Sequence, residues 1–307
     1  MCIRDRLDAR EDHPSYLGVY WGSLGQERVR EEVESADCLL MLGALLTDMD
    51  MGINTAHLDP NLAVYVASDR LAIRRHLYEN VGMADFLQGL IAMDLGSRPS
   101  RRTDTEPKPA PFAAIHGRRV TVARLFERLQ GCIDDRTVLV ADVGEALFAS
   151  LDLAMHRETA FLSPAYYTSM GFAVPGAVGA QLARPHLRPL VVVGDGAFQM
   201  TGMELATVAR YGLTPIVLVL NNGGYGTERP MLDGPYTDVH PWRYSHLPEV
   251  LGAGRGVLVE TEDQLERALT DAARHPETFW LIEVKLDPGD MSPGLERLTR
   301  ALGARVG

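Results

Sequence analysis

Two short polar segments of the chain combine the residue types and the spacing that metal binding requires. A Gly-Asp-Gly segment centred on Asp195 directly follows the apolar residues 191–193, and an Asn-Asn-Gly-Gly segment, residues 221–224, directly follows the apolar residues 216–220. The residues between them have a helical pattern. Because a strand, a crossover helix and a second strand form a right-handed unit with parallel strands, both strands end on the same side of the sheet. Asp195 and Asn222 are therefore predicted to face one point.

The chemistry of these two side chains indicates the ligand. A carboxylate and an amide oxygen are hard ligands that suit Mg²⁺ or Ca²⁺, and Mg²⁺ completes its octahedron with phosphate oxygens and water. Gly196 lets the backbone approach closely, and the N–H groups of Gly196 and Ala197 can face an anion at the start of the next helix. A metal-bound diphosphate is the predicted ligand.

Two other phosphate-binding motifs are missing from the sequence. It contains no GxxxxGK[ST] segment, which argues against a P-loop, and no GxGxxG segment after a strand, which argues against the usual dinucleotide-binding fold.

The joint pattern resembles a known family signature. Gly-Asp-Gly, then 24 residues, then Asn-Asn is similar to the cofactor motif of thiamine-diphosphate enzymes. In that family the metal is held by the Asp, by the second Asn and by a backbone carbonyl two residues later, which correspond here to Asp195, Asn222 and Gly224. The resemblance implies thiamine diphosphate and Mg²⁺ as cofactors.

A second segment, residues 166–172, is also similar to the family. There the stretch faces the aminopyrimidine ring of the cofactor, and its bulky apolar residue wedges the cofactor into a bent shape. The resemblance assigns the wedge to Met170 and the carbonyl that bonds the amino group to Thr168. The alternative is that Met170 is an ordinary core residue.

A third segment, residues 141–146, resembles the loop that touches the diphosphate. The resemblance assigns this contact to Gly144. Decarboxylases of the family often have a hydroxyl residue where this chain has Glu145. An anion beside a diphosphate is unfavourable unless its side chain points away.

Residues 221–229 are similar to the corresponding segment of pyruvate and indolepyruvate decarboxylases. In these enzymes an acidic residue six positions after the metal-binding Asn assists protonation, and the resemblance assigns this catalytic role to Glu228. The alternative is a solvated loop glutamate. The implied reaction converts a 2-oxo acid of the pyruvate, indolepyruvate or phenylpyruvate type to an aldehyde. The resemblance covers about residues 11–302.

Short apolar runs that alternate with helical patterns, such as the helix predicted at residues 203–210, indicate β-α-β units. The predicted fold class is α/β, with two doubly wound parallel-sheet domains. Strands that are apolar throughout are expected to be buried on both faces.

The chain is divided by composition and by resemblance. Residues 11–96 resemble part of a central domain, and residues 97–115 form a linker rich in proline and charge. Residues 116–290 are the predicted diphosphate- and Mg²⁺-binding catalytic domain, followed by a C-terminal helix or tail at 291–307. Residues 1–10 match nothing expected at that place and are predicted to be a non-native or disordered tail.

Complete members of the family carry a further domain that supplies a glutamate to the aminopyrimidine ring. The chain is therefore expected to be a C-terminal fragment that is inactive alone. The resemblance implies a homodimer or homotetramer for the full-length protein.

Composition limits the partners. The net charge of −11 argues against binding to nucleic acid or to anionic membranes. The sequence contains no run of eighteen apolar residues, so no transmembrane helix is predicted. Three scattered cysteines argue against a disulfide framework or a zinc site, which suits a cytoplasmic protein. The expected partner is a small-molecule 2-oxo acid.

Three alternatives stay open on the sequence alone. An acetolactate-synthase-like carboligase shares the metal motif and would yield an acetohydroxy acid instead of an aldehyde. A non-catalytic cofactor-binding module would bind the cofactor without turnover. An NAD-binding α/β domain would fail to bind thiamine diphosphate.

Overall fold

The apolar runs of the sequence become the strands of two separate sheets. The computed structural model describes residues 13, 15–48, 50–93, 96, 111–155 and 160–306. The chain divides into two compact units, Met1–Pro109 and Ala110–Gly307. The tail predicted at residues 1–10 and most of the linker predicted at 97–115 lie outside the described residues.

The first unit contains a small mixed sheet with strand order β1-β2-β3-β4. Its elements are α1 (Glu27–Glu34), β1 (Leu39–Leu42), β2 (Ala63–Val66), β3 (Arg70–Ile73), β4 (His76–Glu79) and α2 (Met83–Ala92). β1 and β2 pair in parallel, with Leu39 opposite Ala63. The other two pairings are antiparallel.

The antiparallel strands were not predicted from the sequence, which indicated a wholly parallel sheet. Only two residues, Arg74 and Arg75, separate β3 from β4. A parallel connection needs a crossover of a dozen or more residues, so such a short turn forces antiparallel pairing. Arg74 has a positive φ of 57°, as tight hairpin turns often require.

The second unit contains six parallel strands in the order β6-β5-β7-β8-β10-β9. Its strands are β5 (Thr137–Ala141), β6 (Ala160–Leu162), β7 (Arg188–Gly194), β8 (Ile216–Asn221), β9 (Arg255–Val259) and β10 (Trp280–Lys285). Its helices are α3 (Val122–Gln130), α4 (Glu145–Ser150), α5 (Ala173–Ala183), α6 (Asp195–Thr201), α7 (Leu205–Arg210), α8 (Leu247–Leu251), α9 (Glu262–Arg274) and α10 (Pro293–Val306).

Helices cover both faces of this sheet, so the doubly wound α/β prediction is confirmed for the second unit. Alternate residues of the strands enter two different hydrophobic clusters. One cluster joins Leu190 and Leu218 to residues of α3, α4 and α9. The other joins Val191 and Val217 to residues of α5, α6 and α7. Every residue of β5 and β8 is buried, as expected for strands covered on both sides.

The crossover between β7 and β8 differs from the single helix predicted at residues 203–210. It consists of α6, a 3₁₀ turn at Gly202–Glu204, and α7. The Phe198 ring packs directly on Gly202, where a Cβ would lie 2.4 Å from the ring. The missing side chain lets this ring stay in the core, where Phe198 is fully buried.

The strand order creates a crevice at one edge of the sheet. β5 lies between β6 and β7, and the chain passes first to β6 and then returns across β5 to β7. Ligands of open α/β sheets bind outside the carboxyl ends of the strands at such a switch point. The loop after Ala141 and the start of α6 after Gly194 border this crevice. Among the described residues, every helix is too short or too polar to span a lipid bilayer.

Glu145 joins the start of α4 to the start of α10. Its Oε1 accepts a hydrogen bond from the Ser292 N–H at 3.1 Å, while its Oε2 has no hydrogen-bond partner among the described residues. Its side chain is 9% exposed. Burial raises the pKa of Glu145 to about 7, and the nearby carboxylates of Asp290 and Glu296 act in the same direction. The carboxyl thus points to the C-terminal helix.

We expect Glu145→Gln to remove part of the pH dependence of stability. A carboxyl with a raised pKa holds its proton more tightly in the folded state, so wild-type stability falls as pH rises from about 4.5 to about 7. The loss is about 3 kcal/mol, and it persists above that range. The neutral amide keeps the acceptor for Ser292, so the stability gain of the variant over wild type should grow between pH 5 and pH 8.

Urea unfolding at several pH values measures this difference. Glu249→Gln is the matched control, because the Glu249 side chain is 87% exposed. A variant-minus-wild-type difference that does not change with pH would show that the Glu145 carboxyl is not desolvated.

Candidate cofactor and metal site

Asp195 is the first residue of α6, directly after β7, and its carboxylate joins this helix start to the loop after β8. Asp195 is 2% exposed. Its Oδ1 accepts from the Gly196 N–H and its Oδ2 accepts from the Gly223 N–H, both at 2.8 Å. Burial raises the pKa of Asp195 to about 6, against the effect of these N–H groups and of Lys285. A buried carboxylate whose charge the protein compensates only in part fits a site that a cation completes.

The loop after β8 carries the other predicted ligands, Asn222 and Gly224. The Gly223 N–H bond links this loop directly to Asp195. Asn222 Oδ1 accepts from the Gly224 N–H at 3.3 Å, and the Gly224 carbonyl accepts from the Gly226 N–H at 3.0 Å. Each oxygen keeps a second lone pair, so a carboxylate, an amide and a carbonyl are available as hard ligands.

This donor set is small, as expected for an ion that also binds phosphate. The described residues contain no group of three or more His, Cys, Asp or Glu side chains that could hold a metal ion. Mg²⁺ is commonly bound by one or two carboxylates together with phosphate oxygens. The residues present therefore fit a diphosphate-bound Mg²⁺.

Glycines allow three loops to approach each other at this edge. A Cβ on Gly196 would lie 2.5 Å from the Tyr225 ring, and a Cβ on Gly144 would lie 2.9 Å from Thr227 Oγ1. Gly144 also has a φ of 70°, a conformation that L side chains rarely adopt. The loops after β5 and β8 and the start of α6 are thus in contact through positions that tolerate no side chain.

One of the two N–H groups that the sequence predicts to face an anion has a partner within the protein. The Gly196 N–H donates to its neighbour, Asp195 Oδ1, at 2.8 Å. It is therefore already used to orient the carboxylate. Of the two N–H groups predicted to face an anion, that of Ala197 remains the candidate.

The segment that carries Thr168 and Met170 is held in an unusual conformation. Thr168 has a φ of 56°, which is an outlier for a β-branched residue and costs about 1–3 kcal/mol. Its N–H donates to the Pro164 carbonyl and its Oγ1 to the Tyr167 carbonyl, both at 2.7 Å. Met170 is 44% exposed, which excludes the interpretation that it is an ordinary core residue.

The anchor of this segment is Asp142, to which the sequence assigned no role. Asp142 is fully buried at the end of β5, and burial raises the pKa of its carboxyl. Its Oδ1 accepts from the Gly171 N–H at 3.1 Å and its Oδ2 from the Ala173 N–H at 2.8 Å. Thr201 Oγ1 donates to the Gly171 carbonyl at 2.7 Å. Its position as an acidic residue directly after a buried strand was the sequence signal that could have identified Asp142.

A buried network holds the first of the two asparagines, Asn221. Asn221 Nδ2 donates to Glu283 Oε1 at 2.7 Å, and the N–H and Oγ of Ser245 donate to Glu283 Oε2. Glu283 is 3% exposed, on β10. The first asparagine is thereby fastened to the sheet, while the second belongs to the loop beside Asp195. No pattern in the sequence indicates Glu283 as the partner of Asn221.

Glu228 lies on a turn of the same loop, with an exposed side chain. Its N–H donates to the Tyr225 carbonyl, and its carbonyl accepts from the N–H groups of Met231 and Leu232, all at 3.0 Å. The backbone position of Glu228 is therefore defined by local hydrogen bonds. Its catalytic role stays a prediction.

Two family models match the chain. The model described as thiamine pyrophosphate enzyme, C-terminal TPP binding domain, matches residues 142–284. The model described as thiamine pyrophosphate enzyme, central domain, matches residues 9–91. Together they cover well over half of the chain.

Curated relatives and a solved structure agree with these matches. An alpha-keto-acid decarboxylase of Mycolicibacterium paratuberculosis is 32% identical over 284 residues, which cover 90% of this chain and 50% of the relative. A probable pyruvate decarboxylase of Schizosaccharomyces pombe is 31% identical, over 93% of this chain and 52% of the relative. The chain thus spans about half the length of these relatives.

The solved structure is a thiamine diphosphate-dependent 4-hydroxybenzoylformate decarboxylase of Rhodococcus jostii RHA1. It is similar to this chain with a TM-score of 0.64 and 24% identity, over 92% of this chain and 55% of the other, and supports the fold. Since two domain models of one family match the two units, and the metal motif lies at the crevice of the second, the chain belongs to the thiamine pyrophosphate enzymes.

Proposed function

We propose that this chain carries the diphosphate- and Mg²⁺-binding part of a thiamine-diphosphate-dependent 2-oxo acid decarboxylase. The observation that carries the proposal is the bond between Asp195 Oδ2 and the Gly223 N–H, which joins the two halves of the metal motif at the switch-point crevice. The names of the sequence relatives, alpha-keto-acid decarboxylase and pyruvate decarboxylase, support this reaction over a carboligation.

Different residues of the site would bind the metal ion, the diphosphate and the aminopyrimidine ring. Asp195, Asn222 and the Gly224 carbonyl would hold Mg²⁺, and Ala197 and Gly144 would contact the diphosphate. Met170 and the Thr168 carbonyl would orient the aminopyrimidine ring, with Asp142 holding their segment in place. When bound, thiamine diphosphate supplies the carbanion chemistry through which a 2-oxo acid loses carbon dioxide.

Glu228 would deliver a proton at the reacting carbon, so that an aldehyde is released. Its place on a turn of the loop after β8 supports this role, because the proposed metal ligands and the proton donor then belong to one segment. The substrate class is a 2-oxo acid of the pyruvate, indolepyruvate or phenylpyruvate type. We further propose that the protein acts in the cytoplasm as a homodimer or homotetramer.

Asp195→Ala should abolish Mg²⁺-dependent binding of thiamine diphosphate, because it removes the one carboxylate among the proposed ligands. Calorimetry on the 307-residue chain measures this affinity with and without Mg²⁺. Asn222→Ala, at a half-buried position, tests the same ion with less risk to folding. Asp271→Ala is the control, since Asp271 lies on α9 and pairs with Arg274. Equal affinities in wild type and both site variants would refute the metal assignment.

Glu228→Gln should leave cofactor affinity unchanged and lower turnover, because it removes a proton donor and no ligand. The expected loss of kcat is roughly 10²-fold or more. The measurement is aldehyde formation by a full-length protein that contains this chain. Glu260→Gln, at another exposed acidic position, controls for the change of charge. Unchanged turnover would show that Glu228 is a solvated loop residue without a catalytic role.

A further inference from the structure

The loop after β8 continues into a closed excursion of the chain. After Gly224 the chain leaves the site, turns at Glu228 and returns at residues 237–239. The two ends pair: Tyr225 N–H donates to the Thr237 carbonyl at 2.8 Å, and Val239 N–H donates to the Gly223 carbonyl at 3.1 Å. We name residues 223–239 the excursion loop. Its first part contains the proposed metal ligand Gly224.

One arginine occupies the inside of this loop. Arg229 Nη2 donates to Asp238 Oδ1 at 2.8 Å and to the Gly223 carbonyl at 3.4 Å. Its Nη1 donates to Asp233 Oδ1 at 3.1 Å and to Thr237 Oγ1 at 3.3 Å. All four acceptors belong to the excursion loop, so the guanidinium connects its outgoing and returning arms.

The side chain is packed as well as hydrogen-bonded. The Arg229 side chain is 17% exposed. A Cβ on Gly224 would lie 2.8 Å from Arg229 Nη2, so the guanidinium rests directly on the backbone of the proposed ligand. The hydrogen bond to Asp238 raises the pKa of Arg229, which therefore stays charged.

The excursion loop needs such a support because its glycine-rich backbone is flexible. Three of its first four residues are glycine, and glycine loses more conformational freedom on ordering than any other residue. Mg²⁺ demands near-ideal octahedral geometry, whereas Ca²⁺ accepts flexible coordination. A loop that supplies a carbonyl ligand to Mg²⁺ must therefore be held before the ion arrives.

We propose that Arg229 is a positioning residue that fixes the excursion loop so that the Gly224 carbonyl and Asn222 are preorganised for Mg²⁺. This rests on the proposed function, because the metal assignment is part of it. Arg229 acts through the loop: its two terminal nitrogens are occupied by loop acceptors, and its role is to hold the ligands, not to bind substrate.

The first experiment measures affinity on the 307-residue chain. Arg229→Met keeps the aliphatic stem and removes all four hydrogen bonds, so the affinity for thiamine diphosphate with Mg²⁺ should fall roughly 10- to 100-fold, as for other partners of metal ligands. The loss with Ca²⁺ should be smaller. Arg229→Lys should recover part of the affinity, since an ammonium can reach some of the acceptors.

Arg267→Met is the matched control. It breaks a surface pair with Asp263 on α9, and Arg267 is 69% exposed. A role of Arg229 in global stability alone would lower the melting temperature but would leave the Mg²⁺-to-Ca²⁺ preference as in wild type. That result would overturn the proposal.

The second experiment does not depend on the cofactor. Hydrogen exchange of the chain alone should show faster exchange at the Tyr225 and Val239 N–H groups in Arg229→Met, with β7 and β8 unchanged. Unchanged exchange at these two groups would overturn the role of Arg229. If wild type fails to bind thiamine diphosphate with Mg²⁺ while the variant exchanges faster, the proposed function fails and the loop-holding role stands.

Discussion

The buried carboxylate of Asp195 is the constraint on which the rest of the site depends. Its two oxygens accept hydrogen bonds from an N–H group in the first turn of α6 and from one in the loop after β8, so one side chain joins the Gly-Asp-Gly and Asn-Asn-Gly-Gly segments. Burying an anion at this place is unfavourable by itself, as the raised pKa of Asp195 indicates. A cation bound there would offset that cost, which couples the stability of the site to its occupation.

The surroundings of Asp195 combine close backbone approach with buried polar anchors. Tyr225 lies against Gly196, Thr227 against Gly144, and the Thr237 carbonyl against Gly224. Side chains at these glycine positions would push apart the loops after β5 and β8 and the start of α6. A glycine-rich loop is flexible by itself, so its conformation must be fixed by contacts with well-ordered side chains. These partners are Glu283, which holds Asn221, and Arg229, which binds the Gly223 carbonyl.

The second side of the crevice is organised by Asp142 in the same way. It too is a buried carboxylate at a strand end, and it too binds N–H groups of a neighbouring segment. The strained backbone of Thr168 lies three residues before Gly171, whose N–H Asp142 accepts. Strain of this kind persists only where surrounding contacts hold it. Two buried aspartates, at the ends of adjacent strands β5 and β7, thus shape the two sides of one crevice.

The sequence by itself determined the features that depend on local pattern. The apolar runs of β5, β7, β8 and β10 required strands buried on both faces, and the positions of Asp195 and Asn222 after two of them required one shared edge. Glycine positions after these strands indicated close approach. The hairpin of β3 and β4 was missed, although its two-residue turn is local, because arginines carry no strong turn signal.

Only the tertiary structure decided which residues act through partners distant in sequence. Asn221 is fastened by Glu283, 62 residues away, Glu145 is buried against Ser292, 147 residues away, and Asp142 reaches Ala173, 31 residues away. The order of the strands, and hence the crevice between β5 and β7, likewise depends on pairing across the sheet. These partners cannot be identified from the periodicity of the sequence. A hydrogen bond between distant segments constrains the geometry of the two groups, and it does not constrain the spacing of residues along the chain.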